Sequence, residues 1–145
     1  ESLGRLRLSF QESDRFLVGS RFADARADMG RALGLGRTDL PTALFCVNDI
    51  IALGAMRALA EAGIAVPEQV SVTGFDDLGA SSMSSPPLTT IRVPKRQIAR
   101  CALRTLAQMI DRRGSAAEKT LVTGELVVRG SVAGLKTDAG EDDPE

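Results

Sequence analysis

Two pairs of polar residues, Asn48 with Asp49 and Asp76 with Asp77, each stand directly after an apolar run of the chain. An amide and a carboxylate that converge on one crevice match neighbouring hydroxyl groups, because a hydroxyl can donate to a carboxylate oxygen and accept from an amide. A phosphate would instead need arginine, lysine or a glycine-rich loop. The two pairs therefore favour a sugar or polyol as ligand.

Purely structural interpretations of the same residues stay open at this point. Asn48 is a preferred residue type for a helix N-cap, and one aspartate of the second pair could simply begin a turn. Phe22 at a helix start could equally be a core residue. An enzyme is a further alternative, with Asp76 and Asp77 as a magnesium site or an acid–base pair. Against it, adjacent residues at a strand end tend to point apart.

The elements that must position these residues alternate between strands and helices. Residues 42–47 are a continuous apolar run, which is typical of a strand buried on both faces of a parallel sheet, and residues 70–75 predict the next strand. Between them, residues 50–62 predict a helix that Gly63 ends. Strand, helix and strand in this order form a right-handed βαβ unit, and ligands of such sheets bind beyond the carboxyl ends of the strands. The predicted fold class is α/β with a parallel, Rossmann-like sheet.

Further elements are predicted on both sides of this unit. In chain order they are a short strand at 16–18, a helix over 22–35, a loop over 78–87, a short strand over 88–91, a helix over 94–113 and an extended segment over 120–129. The helix over 94–113 carries an apolar stripe, and residues 138–145 form an acidic tail that we expect to be disordered.

Composition excludes several classes of protein. The 145 residues include no histidine, which excludes Ser-His-Asp catalysis and histidine-ligated zinc. A net charge of −1 makes the chain by itself a poor ligand for nucleic acid. Cys46 and Cys101 lie far apart in apolar surroundings, as expected for free thiols rather than a metal site or a disulfide. We expect no metal and no cofactor.

Location is predicted from two further absences in the sequence. No apolar run approaches the roughly 20 residues of a membrane span. The chain begins at Glu1 without an initiator methionine or a secretion signal. These observations predict an internal fragment of a cytoplasmic protein that does not contact a membrane.

Four ordered sequence blocks resemble the LacI/GalR family of transcriptional regulators and its periplasmic sugar-binding relatives. The blocks are ND with ALGA at 48–55, GFDD at 74–77, PPLTTI at 86–91 and ELVVRGS at 125–131. The first two are shared with periplasmic binding proteins, whereas the last two point to the regulator branch. The resemblance covers residues 41–131.

The resemblance implies a periplasmic-binding-protein-like type I fold with two lobes, of which this chain is mainly the second. Residues 1–137 would form the effector-binding and dimerisation domain, and residues 92–114 would cross to the missing first lobe. The implied function is effector sensing, with sugar the expected effector, in a regulator that is not an enzyme. Operator DNA would be bound through a helix-turn-helix headpiece absent from this chain. The alternative is a periplasmic sugar-binding protein of a transporter.

The resemblance also assigns site residues. It implies that Asn48 and Asp76 bond the effector, that Phe22 stacks on its apolar face, and that Arg7 is the best match for an upstream arginine. Val93 stands where many members carry a glutamine that would contact the effector.

A homodimer is the implied assembly. The helix over 50–62 and the loop before PPLTTI form the contact in the family, and Leu53, Met56 and Met83 are the candidates here. Leu53 and Met56 are predicted on a helix face away from Ile51 and Leu59.

Overall fold

The computed structural model describes residues 12–34, 40–111 and 119–134, in which helices and strands alternate. After a one-turn 3-10 helix at Glu12–Asp14, the elements are α1 (Phe22–Gly34), β1 (Ala43–Phe45), α2 (Asp49–Glu61), β2 (Ser71–Thr73), α3 (Gly79–Met83), β3 (Thr90–Arg92), α4 (Lys95–Asp111) and β4 (Glu125–Val127). Arg7 and the acidic tail over 138–145 lie outside the described residues, so their predicted roles stay predictions. Residues 16–18 are irregular rather than a strand.

Strands β1 and β2 run parallel, with Leu44 opposite Val72 in the register. Strands β3 and β4 form an antiparallel pair. The two pairs are joined where β2 ends, because the Gly74 N–H donates to the Thr89 carbonyl over 3.0 Å and the Asp76 N–H donates to the Ile91 carbonyl over 2.9 Å. The predicted α/β class with a parallel strand pair is confirmed.

The core lies between helices α1 and α2 and one face of β1 and β2. Its fully buried side chains include Met29, Leu59, Val70, Val72 and Leu88. Burial of such side chains stabilises a fold by about 1.5–3 kcal/mol each. These few residues therefore fix the two helices against the sheet edge that carries the polar pairs.

Gly54 allows α1 and α2 to approach closely. A Cβ at this position would lie 2.8 Å from both the Phe22 carbonyl oxygen and the Ala25 Cβ. Only glycine leaves this space free, so Gly54 determines how near the start of α1 comes to α2.

Both ends of α2 follow the sequence prediction. The Asn48 side chain accepts a hydrogen bond from the Ile51 N–H at 2.9 Å, which is N-cap geometry. At the other end Gly63 has a φ of +73°, the left-handed conformation that commonly ends helices.

Two predictions about the strands and loops are wrong. Strand β1 is not buried on both faces, because Phe45 and Val47 are 77% and 72% exposed. The face of the sheet that carries these two side chains is therefore open in the described part of the chain. The segment predicted as a loop over 78–87 contains the short helix α3, whose start is tied to α2 by hydrogen bonds described below.

Helix α4 begins directly after Pro94, as predicted, but none of its residues is buried. Its large apolar side chains are exposed, and they include Ile98, Leu103, Leu106 and Met109. The predicted crossing of this segment to a first lobe stays a prediction. None of the described helices combines the length and the apolar character needed to cross a bilayer.

Cys46 and Cys101 are both free thiols, as predicted. Cys46 is buried in the core, and burial raises the pKa of its thiol to about 11. A thiol with so high a pKa is a poor nucleophile at neutral pH, so Cys46 serves as core packing.

Candidate functional site

Asn48 and Asp76 lie in the loops that follow the carboxyl ends of the two parallel strands. The Asp49 N–H donates to the Phe75 carbonyl over 2.9 Å, which joins the residue after Asn48 to the residue before Asp76. Both predicted site residues are half-buried. The structure therefore places the two residues in neighbouring loops at one edge of the sheet, and the convergence of their side chains stays a prediction.

Asn48 serves as a helix cap with only part of its side chain. Its Oδ1 accepts the Ile51 N–H, while no hydrogen bond from the side-chain NH₂ group is seen in the described part of the chain. The capping and ligand-binding interpretations are therefore compatible, because the two amide N–H donors remain free for a ligand.

The Asp76 carboxylate lies on an unusual backbone turn. Asp76 and Asp77 have φ values of +118° and +50°, in the region that non-glycine residues rarely adopt. Across residues 12–34, 40–111 and 119–134, no side chain forms a hydrogen bond or ion pair with the Asp76 carboxylate. A half-buried carboxylate without a partner is a ready acceptor for ligand hydroxyls.

Asp77 is engaged by two arginines and is not available to a ligand in the same way. Its Oδ1 lies 2.5 Å from Arg129 Nη2 and its Oδ2 lies 2.7 Å from Arg92 Nε. Hydrogen bonds from Arg129 first and Arg92 second hold the pKa of this carboxyl below its usual range. Arg129 also donates to the Leu88 carbonyl at 2.7 Å, so the cluster links the turn to β3 and β4.

The magnesium or acid–base alternative finds no support in this arrangement. The two adjacent carboxylates do not share partners, because the arginines engage Asp77 alone. The described residues also contain no group of three or more potential metal ligands.

Asp49 has a role that sequence reasoning missed. The sequence indicates it only as the partner of Asn48 in a polar pair, yet it is fully buried. Its carboxylate accepts hydrogen bonds from the Leu78 N–H at 2.8 Å, from Ser81 Oγ at 2.6 Å and from Thr90 Oγ1 at 2.5 Å. No local pattern could reveal this, because the three donors lie 29, 32 and 41 residues further along the chain.

Two exposed aromatic rings, Phe22 and Phe75, are candidates to cover a ligand. Phe22 is the first residue of α1 and is 44% exposed, so it is not a simple core residue. Phe75, which precedes Asp76, is 40% exposed and was not singled out from the sequence. Its place beside the carboxylate in the GFDD block was the available signal.

The candidate dimer residues fall in three different environments. Met83 at the end of α3 is 80% exposed, and Leu53 is half-buried against the core. Met56 is buried at 6% exposure in the same core as Leu59, so its predicted place on a separate helix face is wrong. Met56 lies three residues before Leu59, which places both side chains on the same side of α2, facing the core.

A comparison with protein families decides the assignment. The family of periplasmic binding protein-like domains matches residues 7–132. The chain belongs to this family. Among curated relatives of this periplasmic binding protein-like domain is the HTH-type transcriptional repressor PurR of Haemophilus influenzae (strain PittEE). It is 42% identical over 104 residues, which cover 70% of this chain and 31% of PurR. The chain thus spans about a third of the length of the curated relatives it matches.

Solved structures extend the likeness. A protein from Sanguibacter keddieii described as a LacI-family regulator is 34% identical with a TM-score of 0.79, over 92% of this chain and 49% of that one. A LacI-family regulator from Enterococcus faecalis V583 with bound ribose is 31% identical with a TM-score of 0.71, over 82% and 43%. The predicted membership in the LacI/GalR regulators is confirmed, in preference to the transporter alternative.

Proposed function

We propose that this chain supplies one wall of a sugar-binding site in a LacI/GalR-type transcriptional regulator. The observation that carries the proposal is the Asp76 carboxylate, which has no side-chain partner among the described residues and lies in the loop hydrogen-bonded to the one that carries Asn48. The ribose-bound regulator of Enterococcus faecalis supports the same class of effector.

Each side chain has a defined part in this proposal. Asp76 accepts hydrogen bonds from sugar hydroxyls, and Asn48 donates through its free amide hydrogens. Phe22 and Phe75 cover the C–H face of the ring, which excludes water and strengthens the polar bonds. Arg7 is the proposed further contact. A hydrogen bond to a charged group contributes about 1.5–3 kcal/mol, so Asp76 is the strongest single contact.

The remaining partners follow from the family. Operator DNA is bound by a headpiece outside this chain, consistent with the HTH type of the PurR relative. A homodimer forms through the surface that includes Leu53 and Met83. Effector binding shifts the regulator between two conformations by its different affinity for each. Such a regulator acts in the cytoplasm and is not an enzyme.

The test separates capping by Asn48 from ligand binding. In the complete protein, Asn48→Asp keeps an N-cap residue type but replaces the amide donors. We expect this variant and Asp76→Ala to lower sugar affinity about tenfold or more, because each removes a bond worth about 1.5 kcal/mol. Calorimetric titration with ribose and a panel of neutral sugars measures the affinity.

Function in regulation is measured as operator release. Asp76→Ala and Phe22→Ala are expected to abolish sugar-induced release without unfolding the protein, and Glu68→Ala, an exposed carboxylate change elsewhere, serves as the control. Unchanged affinity and unchanged operator release in both site variants would contradict the proposed function.

A further inference from the structure

Asp49 holds the turn that carries Asp76 from both sides. Its backbone N–H donates to the Phe75 carbonyl at 2.9 Å, and its carboxylate accepts the Leu78 N–H at 2.8 Å. Phe75 and Leu78 bracket the two residues with positive φ. Because Asn48 is the chain neighbour of Asp49, one residue connects both sides of the candidate site.

The buried environment of Asp49 makes this connection rigid. Its carboxylate also accepts hydrogen bonds from Ser81 Oγ in α3 and Thr90 Oγ1 in β3, so the described residues engage it with three donors. Hydrogen bonds to an ionised carboxylate are short and strong, and a buried carboxylate that lost them would be costly to desolvate. The Asp49 side chain is therefore confined to one position.

The chain leaves room for this carboxylate at Gly74. A Cβ on Gly74 would lie 2.3 Å from Asp49 Oδ1, closer than any real contact. The absence of a side chain at Gly74 is thus what allows the Asp49 carboxylate to occupy its position. Backbone in a rarely populated region persists only where its surroundings impose it, and the Asp49 cluster supplies that constraint.

We infer that Asp49 is a positioning residue that fixes the Asp76 carboxylate against the Asn48 amide, through the Ser81 and Thr90 hydroxyls and the bracket of Phe75 and Leu78. The inference rests on the proposed function only for the identity of the ligand. The positioning of the Asp76 turn by Asp49 does not require a ligand. Asp49 contacts no ligand in this scheme. It sets the separation between two groups that do.

A ligand-free measurement tests the geometric part. Substitution of Asp49 could prevent folding, so the variants are Ser81→Ala and Thr90→Val in the complete protein, each of which removes one donor to the carboxylate. We expect amide hydrogen exchange at Asp76 and Leu78 to accelerate about tenfold, the effect of losing one such hydrogen bond. The Val72 amide, which donates to the Ser131 carbonyl at 2.8 Å, should exchange as in the unsubstituted protein.

Ser82→Ala is the matched control, because Ser82 Oγ donates only to the Gly79 carbonyl on the exposed side of α3. It should leave exchange at Asp76 and Leu78 unchanged. Equal acceleration at Val72, Asp76 and Leu78 would show a merely structural role and overturn the inference. Unchanged exchange at all three would overturn it as well.

Ribose titration tests the functional part at a temperature where every variant is fully folded. Ser81→Ala is expected to weaken ribose binding about fivefold or more, and the loss should largely disappear in an Asp76→Ala background, since the two changes act through one contact. Unchanged affinity in Ser81→Ala, or losses that simply add, would overturn positioning. If the unsubstituted protein binds no ribose or other neutral sugar, the proposed function fails while the exchange result still decides the geometry.

Discussion

Helices α2 and α4 both carry apolar stripes, yet they lie in opposite environments. Seven residues of α2 are buried, and they include Ala52, Gly54, Ala55 and Leu59. Helix α4 is four residues longer, and none of its residues is buried. The small residues of α2 let α1 pack closely, whereas the stripe of α4 meets no element in the part of the chain that the structure describes.

The difference teaches that an amphipathic pattern predicts a helix and its apolar face, but not the partner of that face. Helix α2 finds its partner within this lobe because α1 and the sheet lie next to it. The apolar face of α4 has no such partner in the described part of the chain, and its packing on a first lobe stays a prediction.

The largest expected effect separates the two helices directly. In the 145-residue chain, Leu59→Ala should lower the free energy of unfolding by about 2–5 kcal/mol, because it opens a cavity at a fully buried position. Leu106→Ala on α4 should change it by about 0.5 kcal/mol or less, since that side chain is 54% exposed. Urea denaturation followed by circular dichroism measures both values.

If Leu106→Ala lowered the free energy of unfolding nearly as much as Leu59→Ala, α4 would be packed in this chain. That result would contradict the difference between the two helices. The same pair of variants in the complete protein sharpens it. There the Leu106 substitution should become costly if α4 packs on a first lobe.

The next effect tests the close approach of α1 to α2. Gly54→Ala should destabilise the chain by about 1–3 kcal/mol, because the added Cβ meets the Phe22 carbonyl and the Ala25 Cβ. Thermal unfolding measures the change. Gly30→Ala in α1 is the matched control, since nothing lies within 4 Å of a Cβ there, and it should stabilise the helix by about 0.5–1 kcal/mol. Two shifts of the same sign would contradict the packing described here.

The hydroxyl of Ser131 joins strand β2 to the residue that precedes β3. Ser131 is fully buried, and its Oγ donates to the Val72 carbonyl at 2.6 Å and accepts the Thr89 N–H at 2.8 Å. Ser131→Ala leaves both backbone groups unsatisfied and should destabilise the chain by about 1–3 kcal/mol in chemical denaturation. Ser82→Ala at an exposed hydroxyl should leave the free energy of unfolding nearly unchanged. An equally small change for Ser131→Ala would argue against a stabilising role of the two Ser131 hydrogen bonds.

The smallest effect concerns pH. The pKa of Asp77 is lowered in the folded chain by Arg129 and Arg92, so the ion pairs stabilise the fold above the unfolded-state pKa of about 3.9. This contribution is lost as the pH falls through the lower, folded-state pKa. Unfolding measured between about pH 6 and pH 2 should therefore show a steeper loss of stability in the unsubstituted chain than in Asp77→Asn. Parallel curves of stability against pH would argue against stabilisation by the ion pairs of Asp77 with Arg92 and Arg129.

Much of the βαβ unit was predictable because its signals are local. Asn48 and Gly63 mark the ends of α2 by residue type alone, and the apolar runs before the polar pairs locate β1 and β2. The placement of Asn48 and Asp76 in neighbouring loops followed from a topological rule about parallel strands. Each of these inferences depends on residues close together in the sequence or on a general property of the fold.

The remainder depends on contacts between distant segments. Asp49 and Asp77 are neighbours of the predicted site residues, but their partners lie up to 41 and 52 residues away along the chain. No local pattern therefore reveals that Asp49 is buried or that Asp77 is paired with two arginines. The exposure of Phe45 and the inward packing of Met56 depend on which neighbouring elements cover them. Sequence periodicity does not supply that information.

The left-handed turn at Asp76 also restricts how this pocket diversifies between relatives. Backbone with φ values of +118° and +50° accepts aspartate, asparagine and glycine but strains branched or bulky residues. An exchange of Asp76 for asparagine keeps the turn and converts an acceptor of hydrogen bonds into a group that both donates and accepts. A single-nucleotide change can thus alter which hydrogen bonds this side chain offers, while the backbone conformation disfavours most other substitutions.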